Sequence, residues 1–122
     1  MQQCKVLLVD DDPAVRSAHA RLLERYGHAV QTARSAEEAL GFVDTSHNID
    51  AILTDLMMPG IDGISFIKRV RAKNLDVPLI VVTGQPSLET AITAMEYGAF
   101  RYMLKPVDFK LLTEAIRSAA AR

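Results

Sequence analysis

Five short apolar runs punctuate the chain, and each is followed by a stretch whose apolar residues recur at helical spacing. The run Val6-Leu7-Leu8-Val9 has no polar interruption, so it predicts a strand covered on both faces. Asp12-Pro13 supplies an acidic N-cap and a proline at the first helical position. Val15, Ala18, Leu22 and Tyr26 keep the helical spacing, and Gly27 ends the helix. Residues 29–33 form a shorter second strand. Ser35-Ala36-Glu37-Glu38 is a capping box that opens a helix built on Ala36, Ala39, Leu40 and Val43. A third strand is expected over residues 49–54, followed by strong turn formers in Met57-Met58-Pro59-Gly60 and Asp62-Gly63. Ile64, Ile67 and Val70 mark the next helix, and residues 79–82 the fourth strand. Leu88, Ile92 and Met95 carry a fourth helix that stops at Gly98, and residues 100–104 form the fifth strand. Asp108 caps a last helix with Leu111, Leu112, Ala115, Ile116 and Ala119.

This alternation predicts an α/β fold, a doubly wound parallel sheet with helices on both faces. The 122 residues fit one domain, 1–122, without a repeat, linker or low-complexity segment. A chain of this size hides roughly two-thirds of its unfolded surface and needs no staple.

Composition narrows the function classes. Hydrophobic content of 49% argues against disorder. A net charge of -1 gives no field that would draw the chain to DNA, RNA or anionic lipid, so direct nucleic-acid binding is not expected. A single cysteine, Cys4, precludes an internal disulfide, argues against a Cys-based zinc site and reads as filler before the first strand. The first apolar run is short and ends in acids, unlike a signal peptide, and no stretch approaches the ~18 apolar residues that span a bilayer. A cytoplasmic protein without membrane attachment is expected.

The chemically loud residues all follow strands. Asp10 and Asp11 follow the first, Asp55 the third, Thr83 the fourth and Lys105 the fifth. In an open parallel sheet, ligands bind beyond the carboxyl ends of the strands, at the topological switch point. Clustered carboxylates repel one another and are costly to desolvate, so a cation among them is expected, and a hard divalent ion suits oxygen ligands. Asp12 is accounted for by helix capping, and His19, His28 and His47, without ligand-like spacing, receive no role.

Four segments together resemble the receiver domain of two-component response regulators: Val6-Leu7-Leu8-Val9-Asp10-Asp11, the stretch from Leu53 to Gly63, Val81-Val82-Thr83-Gly84 and Tyr102-Met103-Leu104-Lys105-Pro106. The resemblance implies a flavodoxin-like (βα)5 three-layer sandwich with its five strands in the order 2-1-3-4-5. It implies that Asp55 is the phosphoacceptor, attacking the phosphohistidine of a sensor histidine kinase or phosphotransfer protein. A carboxylate is a competent nucleophile for that transfer and needs no general base. It implies Mg2+ held by Asp11 directly and by Asp10 mostly through water, with Asp55 and the backbone carbonyl of Met57 completing the protein's share. Lys105 would pair with a phosphoryl oxygen, across a Lys105-Pro106 bond that is cis in the family. Thr83 matches the switch hydroxyl, and Gly84 leaves room for the phosphoryl group. Tyr102 matches the switch aromatic, beside its plainer reading as a partly exposed strand residue.

The resemblance also implies an output. The loop after Thr83, the helix over residues 88–97 and the strand of Tyr102 would change on phosphorylation. The face of helix 4, strand 5 and helix 5, with Ala91 and Ala94, would meet an output domain, a target or a second copy of the chain. Side chains at Met57 and Gln85 tune how long the acyl phosphate survives in the family. Met57 cannot orient a water, so unusually fast hydrolysis is not expected. Such a domain promotes only its own phosphorylation and its slow reversal, which is not enzyme activity in the ordinary sense. A single-domain regulator, a phosphorelay intermediate and the amino-terminal module of a longer protein all fit.

Three rival readings fit less well. A phosphatase forming an aspartyl phosphate on the first strand would use Asp10-x-Asp12, but Pro13 fits helix capping better. A flavin or nucleotide binder needs a phosphate cradle after the first strand, where three aspartates would repel the ligand. A degenerate receiver would lack some of the five key groups.

Overall fold

The computed structural model describes residues 3–45, 48–73 and 76–121, so His47 lies outside the described residues. The elements are β1 (Lys5–Val9), α1 (Pro13–Arg25), β2 (Ala29–Ala33), α2 (Ala36–Thr45), β3 (Ala51–Thr54), α3 (Gly63–Ala72), β4 (Leu79–Thr83), α4 (Leu88–Glu96), β5 (Arg101–Leu104) and α5 (Phe109–Ala120). The five strands make one sheet in the order β2-β1-β3-β4-β5, the order implied by the resemblance to receiver domains. Every pairing is parallel, with Leu8 opposite both Thr32 and Leu53 and Thr83 opposite Leu104.

Uninterrupted apolar strands follow from two cores. Leu7, Val9, Ile52, Leu79 and Val81 pack with Ala36, Ala39, Val43, Phe66, Ile67, Val70 and Ala94 of α2, α3 and α4. Their neighbours Val6, Leu8, Leu53, Ile80 and Val82 pack with Leu23 of α1 and Leu112, Ala115 and Ile116 of α5. Alternate residues of a strand point to opposite faces, so two buried faces leave no position for a polar side chain until the strand ends.

Capping residues set most helix starts. Asp12 accepts from Ala14 N at 2.9 Å and Val15 N at 3.2 Å, and Asp108 accepts from Lys110 N and Leu111 N. In the α2 box, Ser35 Oγ accepts from Glu38 N at 3.1 Å, but Glu38 reaches one residue further upstream than expected, to Arg34 N. Strand ends shift slightly from the expected ones. β3 begins at Ala51 because the Asp50 carboxylate accepts Lys5 N at 2.7 Å and so serves as an edge cap. Phe100 N–H donates to Leu79 O of β4 at 2.7 Å, and strand pairing starts at Arg101.

The stripe that marks α4 faces outward. Leu88, Ile92 and Met95 are 78%, 51% and 52% exposed, whereas Ala94 is fully buried, so Ala94 packs into the core and not, as expected, on the partner-facing side of the helix. Helical spacing identifies a helix but not which face meets the sheet, and the small Ala94 lets α4 lie close.

His28 is buried, and neither ring nitrogen has a hydrogen-bond partner. Burial, reinforced by the Arg117 guanidinium, holds its imidazole below its ordinary value of 6.5. The folded chain therefore binds fewer protons than the unfolded chain below that pH, and stability falls as pH drops through the window beneath 6.5. His19 is held low as well, so His28→Leu is expected to flatten the acid slope without abolishing it. Urea titrations at pH 7.0, 6.0 and 5.0 (about one pH unit apart, spanning the imidazole range) would show it, and an unchanged slope would contradict it.

Candidate functional site

The site forms where β1, β3, β4 and β5 run out. Asp10 follows β1, with its N–H bonded to Ala33 O at 3.1 Å and its carbonyl held by Arg16 Nη1 at 2.9 Å. Its Oδ1 accepts Asp12 N at 3.0 Å. Asp55 follows β3, with its N–H on Val9 O at 3.2 Å and its Oδ1 accepting Met57 N at 3.0 Å. Both acids are buried, Asp10 at 3% and Asp55 at 8% exposure.

Lys105 joins them. Its backbone N–H is anchored to Thr83 O at 2.8 Å, and its Nζ lies 2.6 Å from Asp55 Oδ2 and 3.0 Å from Asp10 Oδ2. The Lys105-Pro106 bond is cis. Burial alone would push the ammonium down, but the hydrogen bonds it donates to Asp55 and Asp10 and their charges outweigh it and raise it above its ordinary 10.5. The cation expected among the carboxylates is thus supplied in part by the chain itself.

The remaining predicted residues sit around this trio. Asp11 is exposed next to Asp10. Thr83 is fully buried at the end of β4, with its Oγ1 accepting Gln85 N at 3.1 Å. Tyr102 is half-buried and does not join the trio; its hydroxyl is engaged at the start of α4.

Two contributors escaped the sequence reading. Gly63, read only as turn chemistry, is the first residue of α3, and its N–H donates to Leu56 O at 3.0 Å. A Cβ there would lie 2.4 Å from Asp55 O and 2.5 Å from Leu56 Cα. Absence of a side chain at residue 63 is what lets α3 start against the Asp55 backbone. His19 lines a small cavity beneath the site with Asp10, Thr54, Asp55 and Lys105, and its ring meets Phe109 edge-on at 5.2 Å. Its lone position in α1 carried no motif by which it could have been found.

The donors suit a hard cation. Each carboxylate oxygen of Asp10 and Asp55 accepts one hydrogen bond and keeps another lone pair. Among the described residues no group of three or more His, Cys, Asp or Glu is placed to hold a metal ion, so the donors on the page are the oxygens of Asp10 and Asp55.

The doubly wound sheet gathers its polar groups at the strand carboxyl ends, around a lysine shared by two buried acids, where ligands of open α/β folds bind. The chain belongs to the response regulator receiver domain family, whose model matches residues 6–117, and its general function is that of a phosphorylation-dependent signalling switch in two-component systems. It is 36% identical to the DNA-binding transcriptional regulator NtrC of Azospirillum brasilense over 98% of its own length and 24% of that protein's. It is also 36% identical to the transcriptional regulatory protein ZraR of Salmonella typhimurium, over 95% of its own length and 26% of that protein's. The chain therefore spans about a quarter of these relatives. The receiver domain protein of Clostridium thermocellum superimposes with a TM-score of 0.91 at 35% identity, covering 98% of this chain and 95% of that one.

Proposed function

We propose that Asp55 accepts a phosphoryl group from the phosphohistidine of a sensor histidine kinase or phosphotransfer protein, and that the loop after β4, α4 and β5 change in response. The observation that carries this reading is Lys105 Nζ, fixed between two buried carboxylates at 2.6 and 3.0 Å. A cation held there stands where phosphoryl oxygens would need a partner. An Asp55 carboxylate oxygen bonds to phosphorus as the bond from phosphorus to the donor's imidazole nitrogen breaks, and the electron pair leaves with the imidazole. Lys105 then turns from the carboxylate to a phosphoryl oxygen. Among the described residues Thr83 Oγ1 accepts the Gln85 N–H and no other bond, so its own proton is available to donate to another phosphoryl oxygen.

Asp10, Asp11, Asp55 and the backbone carbonyl of Met57 would hold Mg2+, Asp11 directly and Asp10 mostly through water, and the ion supplies the positive charge that lets an anionic carboxylate meet an anionic phosphoryl group. At Gly84 a Cβ would meet only Lys105 atoms at 3.9 Å, in keeping with open access to the site. Met57 is 53% exposed and carries no group that could orient a water, which supports unexceptional hydrolysis. Catalysis confined to the domain's own phosphorylation and its reversal is not enzyme activity in the ordinary sense.

The whole chain, 1–122, serves as one receiver domain in this reading. Its output face is α4, β5 and α5, where Leu88, Ile92, Met95, Leu104 and Leu111 are all more than half exposed. An output domain, a target protein or a second copy would cover them. Any DNA binding belongs to the rest of a longer protein, in keeping with the net charge of -1 and with relatives roughly four times as long. A cytoplasmic location fits the two-component class; among the described residues no helix is long and apolar enough to cross a membrane.

Incubation with Mg2+ and acetyl phosphate should add one phosphoryl unit to the intact mass, and peptide mapping should place it on Asp55. No gain would end the reading, and a gain on Asp10 would favour the first-strand phosphatase instead.

A further inference from the structure

The Tyr102 hydroxyl is held in a closed set of hydrogen bonds at the start of α4. Thr90 Oγ1 lies 2.8 Å from Tyr102 Oη, and Ser87 N–H donates to the same Oη at 3.3 Å. Thr90 Oγ1 also lies 2.8 Å from Ser87 Oγ and 3.2 Å from Ser87 O, and Thr90 N–H donates to Ser87 Oγ at 3.0 Å. One placement of protons uses every donor once. Tyr102 O–H donates to Thr90 Oγ1, Thr90 O–H to the Ser87 carbonyl, and Ser87 O–H to the second lone pair of Thr90 Oγ1. Ser87 is the N-cap of α4, so this closure makes a β5 side chain part of a helix cap.

We infer that Thr90 is a positioning residue of the switch: with Ser87, its hydroxyl holds Tyr102 against the first turn of α4 in the resting chain, and departure of Tyr102 loosens that turn. The inference rests on the proposed switch role of Tyr102, but the latch belongs to the unphosphorylated chain. An aromatic that leaves takes away the acceptor of Ser87 N–H and a donor to Thr90 Oγ1 together. Position of the ring and order of the helix start are therefore one equilibrium. Ser87 is exposed and Thr90 half-buried, so water can replace the lost partners. The latch then biases the equilibrium by a small factor instead of locking it, as a switch element must be biased.

The test uses Thr90→Val, which keeps shape and loses the hydroxyl, Thr90→Ser, which keeps the hydroxyl, and Tyr102→Phe, all in the whole chain without phosphodonor. Amide exchange in the first turn of α4 should rise about fivefold in Thr90→Val and in Tyr102→Phe, the worth of one net hydrogen bond. The double variant should exchange no faster than Thr90→Val alone, and Thr90→Ser should match the parent. In Thr90→Val the three-bond couplings of the Tyr102 side chain should also report a new rotamer mixture, which a loosened cap alone would not produce. Additive effects of the two substitutions, or an unmoved Tyr102 ring, would overturn the latch. Should Thr90→Val not fold, Tyr102→Phe decides alone: parent-like exchange in the first turn of α4 would overturn it. These readouts need no phosphorylation, so failure of Asp55 to take up phosphate would leave them standing, and the reverse also holds.

Discussion

Lys105→Met is expected to cost about 3 kcal/mol of stability, because it strands two buried acids beside each other without their cation. The Asp10 and Asp55 side chains are 4% and 9% exposed, and the lysine side chain is only 23% exposed, so solvent does little to screen them. Asp55→Asn in the Lys105→Met background should recover most of the loss by removing one of the like charges. Added Mg2+ should also recover much of it, since a divalent ion on the same oxygens replaces the ammonium. Urea unfolding at neutral pH of parent, single and double variants, with and without Mg2+, measures all of this. A Lys105→Met chain as stable as the parent would mean that the contacts at 2.6 and 3.0 Å contribute nothing. The pH dependence has a definite sign. The ammonium is raised above 10.5 in the folded chain, so its stabilisation is complete below that value and is lost as pH climbs through the folded value. The gap between parent and Lys105→Met should therefore narrow only in strong alkali.

Gly63→Ala is expected to cost about 3 kcal/mol as well, roughly 10 °C in melting temperature, through overpacking. The added methyl would lie 2.4 Å from Asp55 O and 2.5 Å from Leu56 Cα, and both are backbone atoms that cannot swing aside. Either α3 lifts off the sheet or the Asp55 turn moves, and in the second case phosphoryl uptake falls together with stability. Gly41→Ala is the control. It sits inside α2 with nothing within 4 Å of its added methyl, so the gain in helix propensity should raise stability by about 0.5–1 kcal/mol. Equal effects at the two glycines would refute the packing argument.

Element order and the gathering of Asp10, Asp55, Thr83 and Lys105 at one rim were legible in the residues, because strand period and charge placement are local signals, whereas the sheet order came only from the family resemblance. Asp12 and Asp108 likewise declared their helices through capping chemistry that acts over three residues. What escaped were relations between distant segments. Gly63 looks like any turn glycine until the Asp55 carbonyl is brought against it. His19 enters the site only because α1 and α5 flank the same sheet face. The Leu88, Ile92 and Met95 stripe signalled a helix, but Ala94 chose the face that packs, since small size decides approach where hydrophobicity does not. Ser87 was missed as a cap because Thr90, rather than Glu or Gln, stands three residues on and reaches Tyr102 instead.

The bond from Lys105 to Asp10 spans 95 positions of sequence, and the one from Lys105 to Asp55 spans 50. A ribosome therefore delivers both aspartates well before the lysine that unites them, and no partial product can assemble the trio. The trio is complete only when the final strand docks at the sheet's edge. Under the proposed reading, a chain cut short of Lys105 would lack the cation that meets the phosphoryl group on Asp55.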